Sequence, residues 1–473
     1  MSDPQYFETR FGVTRAAIRK VLAGALQRGG DFADLYFQHA TGTSVVLEDG
    51  AVNQGSSFVD LGVGIRVVLG DQTGYAFTED LSLEAMLEAA STASAIASGG
   101  GSRVVTDLRF KEPPGYYDTN CDWASTGVDE MRSLLAGLNE ATHAKDPRVE
   151  RVNATFASNQ SRIMLVNSEG QVYHDNQPMT RLGLSVVMED KNVRQSNGHN
   201  ISGRAGMDFY SEQRLTGIVD EAVDRTRILF DARRPPQGEL PVVLAAGSSG
   251  ILLHEAMGHG MEADFNRKGV SIFSDMIDKP VAESFVSIVD DGTIPGLRGS
   301  INVDDEGCAS QRTLLVEDGI LRSYLHDRIS ARHFRVPPTG NGRRQSFRHI
   351  PLPRMRNTFM RPGPHTKDEI IESVSNGIYC VSFTNGQVNI GAGDYAFYVK
   401  NGWLIENGRL TAPLKDVNII GNGPETLARI TMAGDDLKMD EGGWTCGKDG
   451  QSVPVSLGMP TCLVSSINVG GSA

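Results

Sequence analysis

Leu240-Pro241-Val242-Val243-Leu244-Ala245-Ala246-Gly247-Ser248-Ser249-Gly250-Ile251-Leu252-Leu253-His254-Glu255-Ala256-Met257-Gly258-His259-Gly260-Met261-Glu262 is the most informative stretch of this chain. Its first six residues are apolar and too few for a stable helix, so they read as a buried strand. Gly247-Ser248-Ser249-Gly250 then breaks the run, and a helix is predicted to begin near Ile251. The apolar region from Leu240 to Leu253 is the longest in the chain. It is too short and too interrupted, by Pro241 and the glycine–serine turn, to span a bilayer. Asp231 to Gly238 in front of it is polar, proline-containing and non-periodic, which marks a boundary between domains.

Downstream the pattern is strand-rich. Hairpins are predicted at Glu317-Asp318-Gly319 and Glu406-Asn407-Gly408, and strands at Phe285 to Val289 and Tyr395 to Val399. Only Lys367 to Val374 reads as a clear further helix. Residues 240–473 are therefore expected to form a β-rich, barrel- or sandwich-like domain built around one special helix.

Upstream, residues 1–234 read as an α+β domain in which an antiparallel sheet is flanked by helices. Two similar halves are expected, about 14–97 and 127–229. The first opens with a helix whose Ile18, Val21, Leu22, Ala25 and Leu26 share one face, ended by Gly29. Strands follow at Ala33 to His39, Thr43 to Glu48, Leu61 to Leu69 and Thr73 to Phe77, and a helix from Leu83 to Ala97 stops at Gly99-Gly100-Gly101. The second half starts at Thr126, a predicted helix cap, with Met131, Leu134, Leu135 and Leu138 facing inward. Its strands are Val152 to Phe156, Arg162 to Asn167 and Leu182 to Met188, and its closing helix carries Leu215, Ile218, Val219, Ala222 and Val223. Leu61–Val68 resembles Leu182–Val187, and Glu48-Asp49-Gly50 resembles Ser168-Glu169-Gly170. The pattern reads as an internal duplication.

The 473 residues are 40% hydrophobic and 22% charged, ordinary values for a globular protein. Forty-five basic residues against 58 acidic ones leave −13 at neutral pH. That balance argues against a nucleic-acid-binding surface and against attraction to an anionic membrane. Met1 to Tyr6 lacks the basic and apolar segments of a secretory signal. The five cysteines, Cys121, Cys308, Cys380, Cys446 and Cys462, are scattered and odd in number, so free thiols in a reducing cytoplasm are expected.

Chemistry concentrates in His254, Glu255 and His259. Neutral imidazoles are good zinc ligands, and a carboxylate beside the first can move a proton to and from an activated water. When two histidines are four apart on a helix, both project from one face. Here they are five apart, which places the second about 140° around an ideal helix. Gly258 and Gly260 flank it, so the helix is expected to widen into a π-bulge, or end, at Gly258. A third ligand is required. Glu262, Asp264, the other eight histidines and the five cysteines are all candidates. Cys446 stands apart because it sits in Gly442-Gly443-Trp444-Thr445-Cys446-Gly447-Lys448-Asp449-Gly450, a flexible setting in which Lys448 would favour the thiolate. Cys121 lies among tyrosines beside Trp123, and Cys380 and Cys462 occupy apolar strands; these read as packing residues.

Two weaker features complete the reading. Arg343, Arg344, Arg348, Arg354 and Arg356 form a basic loop that could hold a peptide carboxylate or an oxyanion. A solvated or ion-paired loop is the stronger reading. Gly386 to Gly393 reads either as a strand edge that pairs with an extended peptide or as an ordinary strand.

His254-Glu255-Ala256-Met257-Gly258-His259-Gly260 resembles the HExxxH signature of the TldD/PmbA family. Asp264-Phe265-Asn266-Arg267, Asp304-Asp305-Glu306-Gly307, Thr339-Gly340-Asn341-Gly342-Arg343-Arg344, Cys446-Gly447-Lys448-Asp449-Gly450-Gln451-Ser452 and Val469-Gly470-Gly471 are also similar to it. The resemblance covers nearly the whole chain and is to the TldD branch, since TldE-type chains lack the histidine pair. It implies a zinc metallopeptidase with His254, His259 and Cys446 on Zn2+ and Glu255 as catalytic base. It further implies a heterodimer with a TldE/PmbA-type subunit, a homodimer being the other arrangement, acting on unfolded peptides that bind by strand addition. The alternative is a non-catalytic, metal-stabilised peptide-binding or regulatory subunit. Against it stands Glu255, for which a structural zinc site has no use.

Overall fold

The computed structural model describes residues 3–96, 105–389 and 392–471. Gly99-Gly100-Gly101, and Ile390 and Gly391 within the Gly386–Gly393 stretch, lie outside them. The chain is α+β, as expected.

One seven-stranded sheet occupies the first half. Its centre is the antiparallel pair Phe32–Glu48 and Val149–Asn167. Ala51–Leu69 and then Gln72–Thr78 extend it on one side, and Gln171–Asp190 and Val193–Gly203 on the other. Each central strand was expected as two shorter ones. In the sequence Ala40 to Gly42 and Ala157 to Ser161 interrupt the apolar pattern, but in the sheet they pair with each other, Ala40 opposite Ser161 and Gly42 opposite Asn159. A ladder needs only backbone hydrogen bonds, so a polar stretch can continue a strand.

Helices flank the sheet in the order helix, three strands, helix, twice over: Arg15–Ala25 and Leu83–Ser94, then Val128–Lys145 and Glu212–Arg227. The first pair buries Ile18, Val21, Leu22 and Ala90 against Leu35, Phe37, Val63 and Ile65. The second buries Met131, Leu135, Ile218 and Val219 against Val45, Leu47, Val152 and Phe156. The Phe32–Glu48 strand therefore feeds both cores. Each such fully buried side chain contributes ~1.5–3 kcal/mol from transfer alone. Thr14 caps the first helix by accepting the Ala17 N–H, whereas Thr126 caps nothing: the N-cap of the third is Gly127, with no side-chain bond.

In the second half, Asn376–Asn389, Gly238–Leu244, Cys462–Gly471, Val417–Asn422 and Asp394–Glu406 close into a five-stranded barrel. A mixed six-stranded sheet lies beside it, centred on Ile288–Asp291, Asn357–Met360 and Ser456–Met459. Between barrel and sheet runs the chain from Gly250 to Met261. Its Leu252, Leu253, Ala256 and Met257 share one core with Leu244 and Phe397 of the barrel and with Met360 and Leu457 of the sheet. Besides Lys367–Glu372, short helices occur at Ala263–Arg267, Arg328–Phe334 and Gly423–Ala428, which the sequence reading missed. At five to seven residues they are too short to display a helical period.

Buried ion pairs join the first sheet to the second half. Arg66 bridges Asp34 at 2.5 Å and Glu306 at 2.6 Å, and Arg344 reaches Asp34 at 3.1 Å. No helix among the described residues is long and apolar enough to cross a membrane.

Candidate metal centre

The helix after Gly250 changes pitch at the histidine pair. Gly250–Leu253 is α-helical, His254–Gly258 is a π-turn and His259–Met261 a 3₁₀-turn. The His259 N–H bonds to the His254 carbonyl, an i→i+5 link that brings the two residues onto one side. The ring centroids are 5.1 Å apart, nearly perpendicular. Widening at Gly258 is what the five-residue spacing required. The glycine itself serves a different end: its φ is an ordinary −60°. A Cβ there would lie 2.1 Å from the Met355 sulfur, and one on Gly260 2.7 Å from the Phe273 ring. Close packing, rather than backbone freedom, demands the two glycines.

Past the turn the chain is pinned to Leu325 by two backbone bonds, Leu325 N–H to Met261 O and Ala263 N–H to Leu325 O, both 2.9 Å. On the opposite side, Gly423 approaches so closely that a Cβ would lie 1.9 Å from the Ala256 carbonyl.

Cys446 reaches the histidines from a two-stranded hairpin, Thr445–Lys448 with Gln451–Pro454. Ligand-type atoms of His254, His259 and Cys446 lie within 4.8 Å of one another, and all three residues are buried. The Cys446 Sγ is 3.4 Å from His259 Nε2. Both ring nitrogens of His254 are buried without a hydrogen-bond partner. An imidazole so placed is costly unless something occupies its lone pair. Two imidazoles and a thiolate are the donor set that zinc takes, with a fourth position left open, so these residues fit that ion. The Glu255 carboxylate stands 3.7 Å from His259 Nε2 and, at 23% exposed, touches solvent.

Burial would push the Cys446 thiol up, but the two imidazoles outweigh it and hold it well below its ordinary range. Burial likewise opposes charge on His259, and Glu262 and the cysteine more than offset this, raising it well above 6.5. Glu262 is held down to about 2, against its own burial, by Lys448 and His259.

Of the candidate third ligands, Glu262 and Asp264 lie one layer out. Glu262 Oε2 is 2.9 Å from His259 Nδ1. Lys448 Nζ lies 3.0 Å from Glu262, 2.7 Å from Asp264 and 3.1 Å from the Pro353 carbonyl. Lys448 thus neutralises carboxylates and does not act on the Cys446 thiol directly, correcting the role expected for it. No other histidine or cysteine among the described residues joins the group.

Arg343, Arg344, Arg354 and Arg356 are buried scaffolding rather than a solvated surface, whereas Arg348 is partly exposed and ion-paired. Arg354 donates to the Cys446 carbonyl at 2.6 Å, and Arg343 to the carbonyls of Met355 and Pro454. Arg348 pairs with Asp60 and Glu79. These supports of the hairpin went unrecognised in the sequence, where only their charge is visible. Among the described residues, the Asn376–Asn389 strand beyond Cys380 has a ladder partner on one side only, Asp394–Glu406.

Three successive segments match family models: residues 33–97 the PmbA/TldA metallopeptidase domain 1, 121–230 the central domain and 237–471 the C-terminal domain. A "Metalloprotease TldD homolog" of Haemophilus influenzae is 39% identical over 93% of both chains. A "Zinc metalloprotease TldD homolog" of Saccharolobus solfataricus is 27% identical over 96% of this chain and 99% of its own. Among solved structures, a putative modulator of a DNA gyrase from Thermotoga maritima has a TM-score of 0.77 at 21% identity, covering 96% of this chain and 99% of that one. TldE from Thermococcus kodakarensis has a TM-score of 0.75 at 15% identity, covering 96% and 100%. The three segments in order, and a relative this similar across most of both chains, mean that the chain belongs to the PmbA/TldD metallopeptidase family.

Proposed function

We propose that the chain is a zinc-dependent peptidase in which His254, His259 and Cys446 hold the ion and Glu255 is the general base. The observation that carries this reading is the buried cluster of three ligand-type atoms around the unpartnered nitrogens of His254, with one carboxylate at its open side. The printed names of the relatives, metalloprotease and in one case zinc metalloprotease, support it.

Zinc in such a site supplies Lewis acidity, polarising the scissile carbonyl and acidifying a water. Glu255 takes the proton from the attacking water and delivers it to the departing amine. Its partial exposure lets it meet both water and substrate, which a buried carboxylate could not do. Glu262 keeps His259 Nδ1 engaged, so that Nε2 faces the cluster. The one-sided edge of the Asn376–Asn389 strand suits an extended, unstructured peptide added as a further strand. A TldE-type paralogue is the proposed partner subunit and the cytoplasm the proposed setting.

Metal content by elemental analysis tests the first claim: near-stoichiometric zinc in the wild type and a large loss in Cys446→Ser. Glu255→Gln should keep the zinc and lose peptide cleavage, assayed with a TldE-type subunit present. A wild type that holds no metal after zinc is resupplied would favour the peptide-binding subunit instead.

A further inference from the structure

A second cavity, of about 230 Å³, lies between the first sheet and the arginine loop. Three guanidinium groups line it, from Arg204, Arg343 and Arg344, against one carboxylate, that of Asp305. All three arginines are at least nine-tenths buried. In a chain carrying −13 overall, this is a local excess of positive charge.

Among the described residues, the excess is met within ion-pair distance only at Arg344, by Asp34, although Asp305 and Asp175 act on the group from further off. Arg343 has only carbonyl partners, Met355 and Pro454, and among the described residues no carboxylate lies within ion-pair distance of it. Arg204 donates to the Arg298 carbonyl at 3.1 Å and to Gln177 at 3.4 Å, again without an ion pair. Arg344 shares Asp34 with Arg66, while its own buried Nε and Nη1 have no partner. Burial, and then the neighbouring arginines, push Arg343 down to about 9. A buried guanidinium without a counter-ion is unfavourable by several kcal/mol, and a ligand carboxylate supplies what is missing, in charge and in paired acceptors.

The remaining wall narrows the ligand class. Gln38, Asn159 and Gln345 offer amides, and Ile163, Met179 and Pro454 offer apolar surface. That alternation suits an amino-acid residue with its peptide group better than a fully polar anion. The volume falls below that of a drug-sized site, so one terminal residue is the appropriate scale. Pro454 belongs to the hairpin that carries Cys446, which joins this cavity to the metal cluster through one short element.

We propose that this cavity is a carboxylate site that takes the C-terminal end of a peptide, in substrate or product. The proposal rests on the peptidase reading for the source of the peptide, and on the cavity alone for the carboxylate.

The test is calorimetric binding of one unstructured pentapeptide in free-acid and C-terminally amidated forms to the full chain carrying Glu255→Gln. The acid should bind at least tenfold more tightly. Asn159→Asp, at a half-buried position in the wall, adds a carboxylate without removing any arginine. It should abolish the preference and, by supplying a counter-charge, should not lower the Tm. Equal binding of acid and amide, or a preference that survives Asn159→Asp, overturns the proposal, as does displacement of the peptide by acetate at equal concentration. A wild type that cleaves no peptide but still prefers the acid would keep this site and sink the peptidase reading. Cleavage without any acid preference would do the reverse.

Discussion

Glu262 Oε2 lies 2.9 Å from Nδ1 of His259, and the same oxygen is 3.0 Å from Nζ of Lys448. The contact fixes which ring nitrogen of His259 faces Cys446. Lys448 stands two residues beyond Cys446 on the same strand, so both project to one face of the hairpin. One strand therefore delivers a thiolate to the cluster and the cation that keeps Glu262 ionised behind it.

Replacing Glu262 by Gln should weaken zinc binding about 10–100-fold, the usual cost of losing the carboxylate behind a ligating imidazole. Chelator competition on the two proteins measures this, and equal affinity would remove Glu262 from that role.

Lys448→Met would leave the Glu262 and Asp264 carboxylates buried without their cation. A loss of about 3–5 kcal/mol in urea unfolding is expected, as for breaking one side of a buried ion pair. Adding Glu262→Gln and Asp264→Asn to Lys448→Met should restore part of it. A single variant as stable as the wild type would show that water already solvates the site.

Gly258→Ala and Gly423→Ala should differ in severity. The new Cβ at 258 meets the Met355 sulfur, the end of a pliable side chain, and overpacking there costs about 1–3 kcal/mol. At 423 it meets the Ala256 carbonyl, which is backbone of the π-turn itself and cannot swing aside. Thermal melts should therefore rank Gly423→Ala as the more damaging, and the reverse order would mean that the π-turn yields more readily than Met355.

Acid should act on the fold through buried groups that titrate between pH 7 and 4, because burial raises Asp304 to about 7 and Asp327 to about 6 while it lowers two histidines. Burial pushes His174 and His326 down to about 4 from an ordinary 6.5. Between those values the unfolded chain binds protons at these two rings that the folded chain refuses, so the histidines withdraw stability as pH drops from 6.5 towards 4, while Asp304 and Asp327 act in the opposite sense. Urea unfolding across that window checks the slope, and His326→Gln should flatten it. A slope that His326→Gln leaves unchanged would contradict the burial of that ring.

Local signals sufficed wherever a single element answers to its own residues. The faces of the Arg15–Ala25 and Glu212–Arg227 helices follow apolar spacing, and Asp318-Gly319 and Asn407-Gly408 both adopt the positive φ that hairpin turns require. The strain of a five-residue histidine spacing was also legible, because helical pitch is a property of the backbone alone. Cys446 was singled out by its glycine-rich setting and by family resemblance, not by any distance.

What the chain order cannot express is which distant residues share a cavity. Glu262 and Lys448 are 186 positions apart, and neither residue's neighbours in sequence reveal that they touch. Lys448 read as a charge favouring the thiolate of Cys446, and the arginines of residues 343–356 as a solvated or ion-paired basic loop. Folding instead buries Lys448, Arg343, Arg344, Arg354 and Arg356, where low dielectric makes partner choice decisive. The long central strands were misjudged for a related reason: Ala40–Gly42 and Ala157–Ser161 complete each other's ladder, and neither stretch carries a strand signal alone. Sequence by itself determined the types of the longer helices and strands, the α+β class and the histidine–glutamate motif, because these depend on spacing along one segment. Tertiary structure alone decided the third member of the cluster's surroundings, the charge behind His259 and the cationic cavity, because each depends on side chains that only packing brings together.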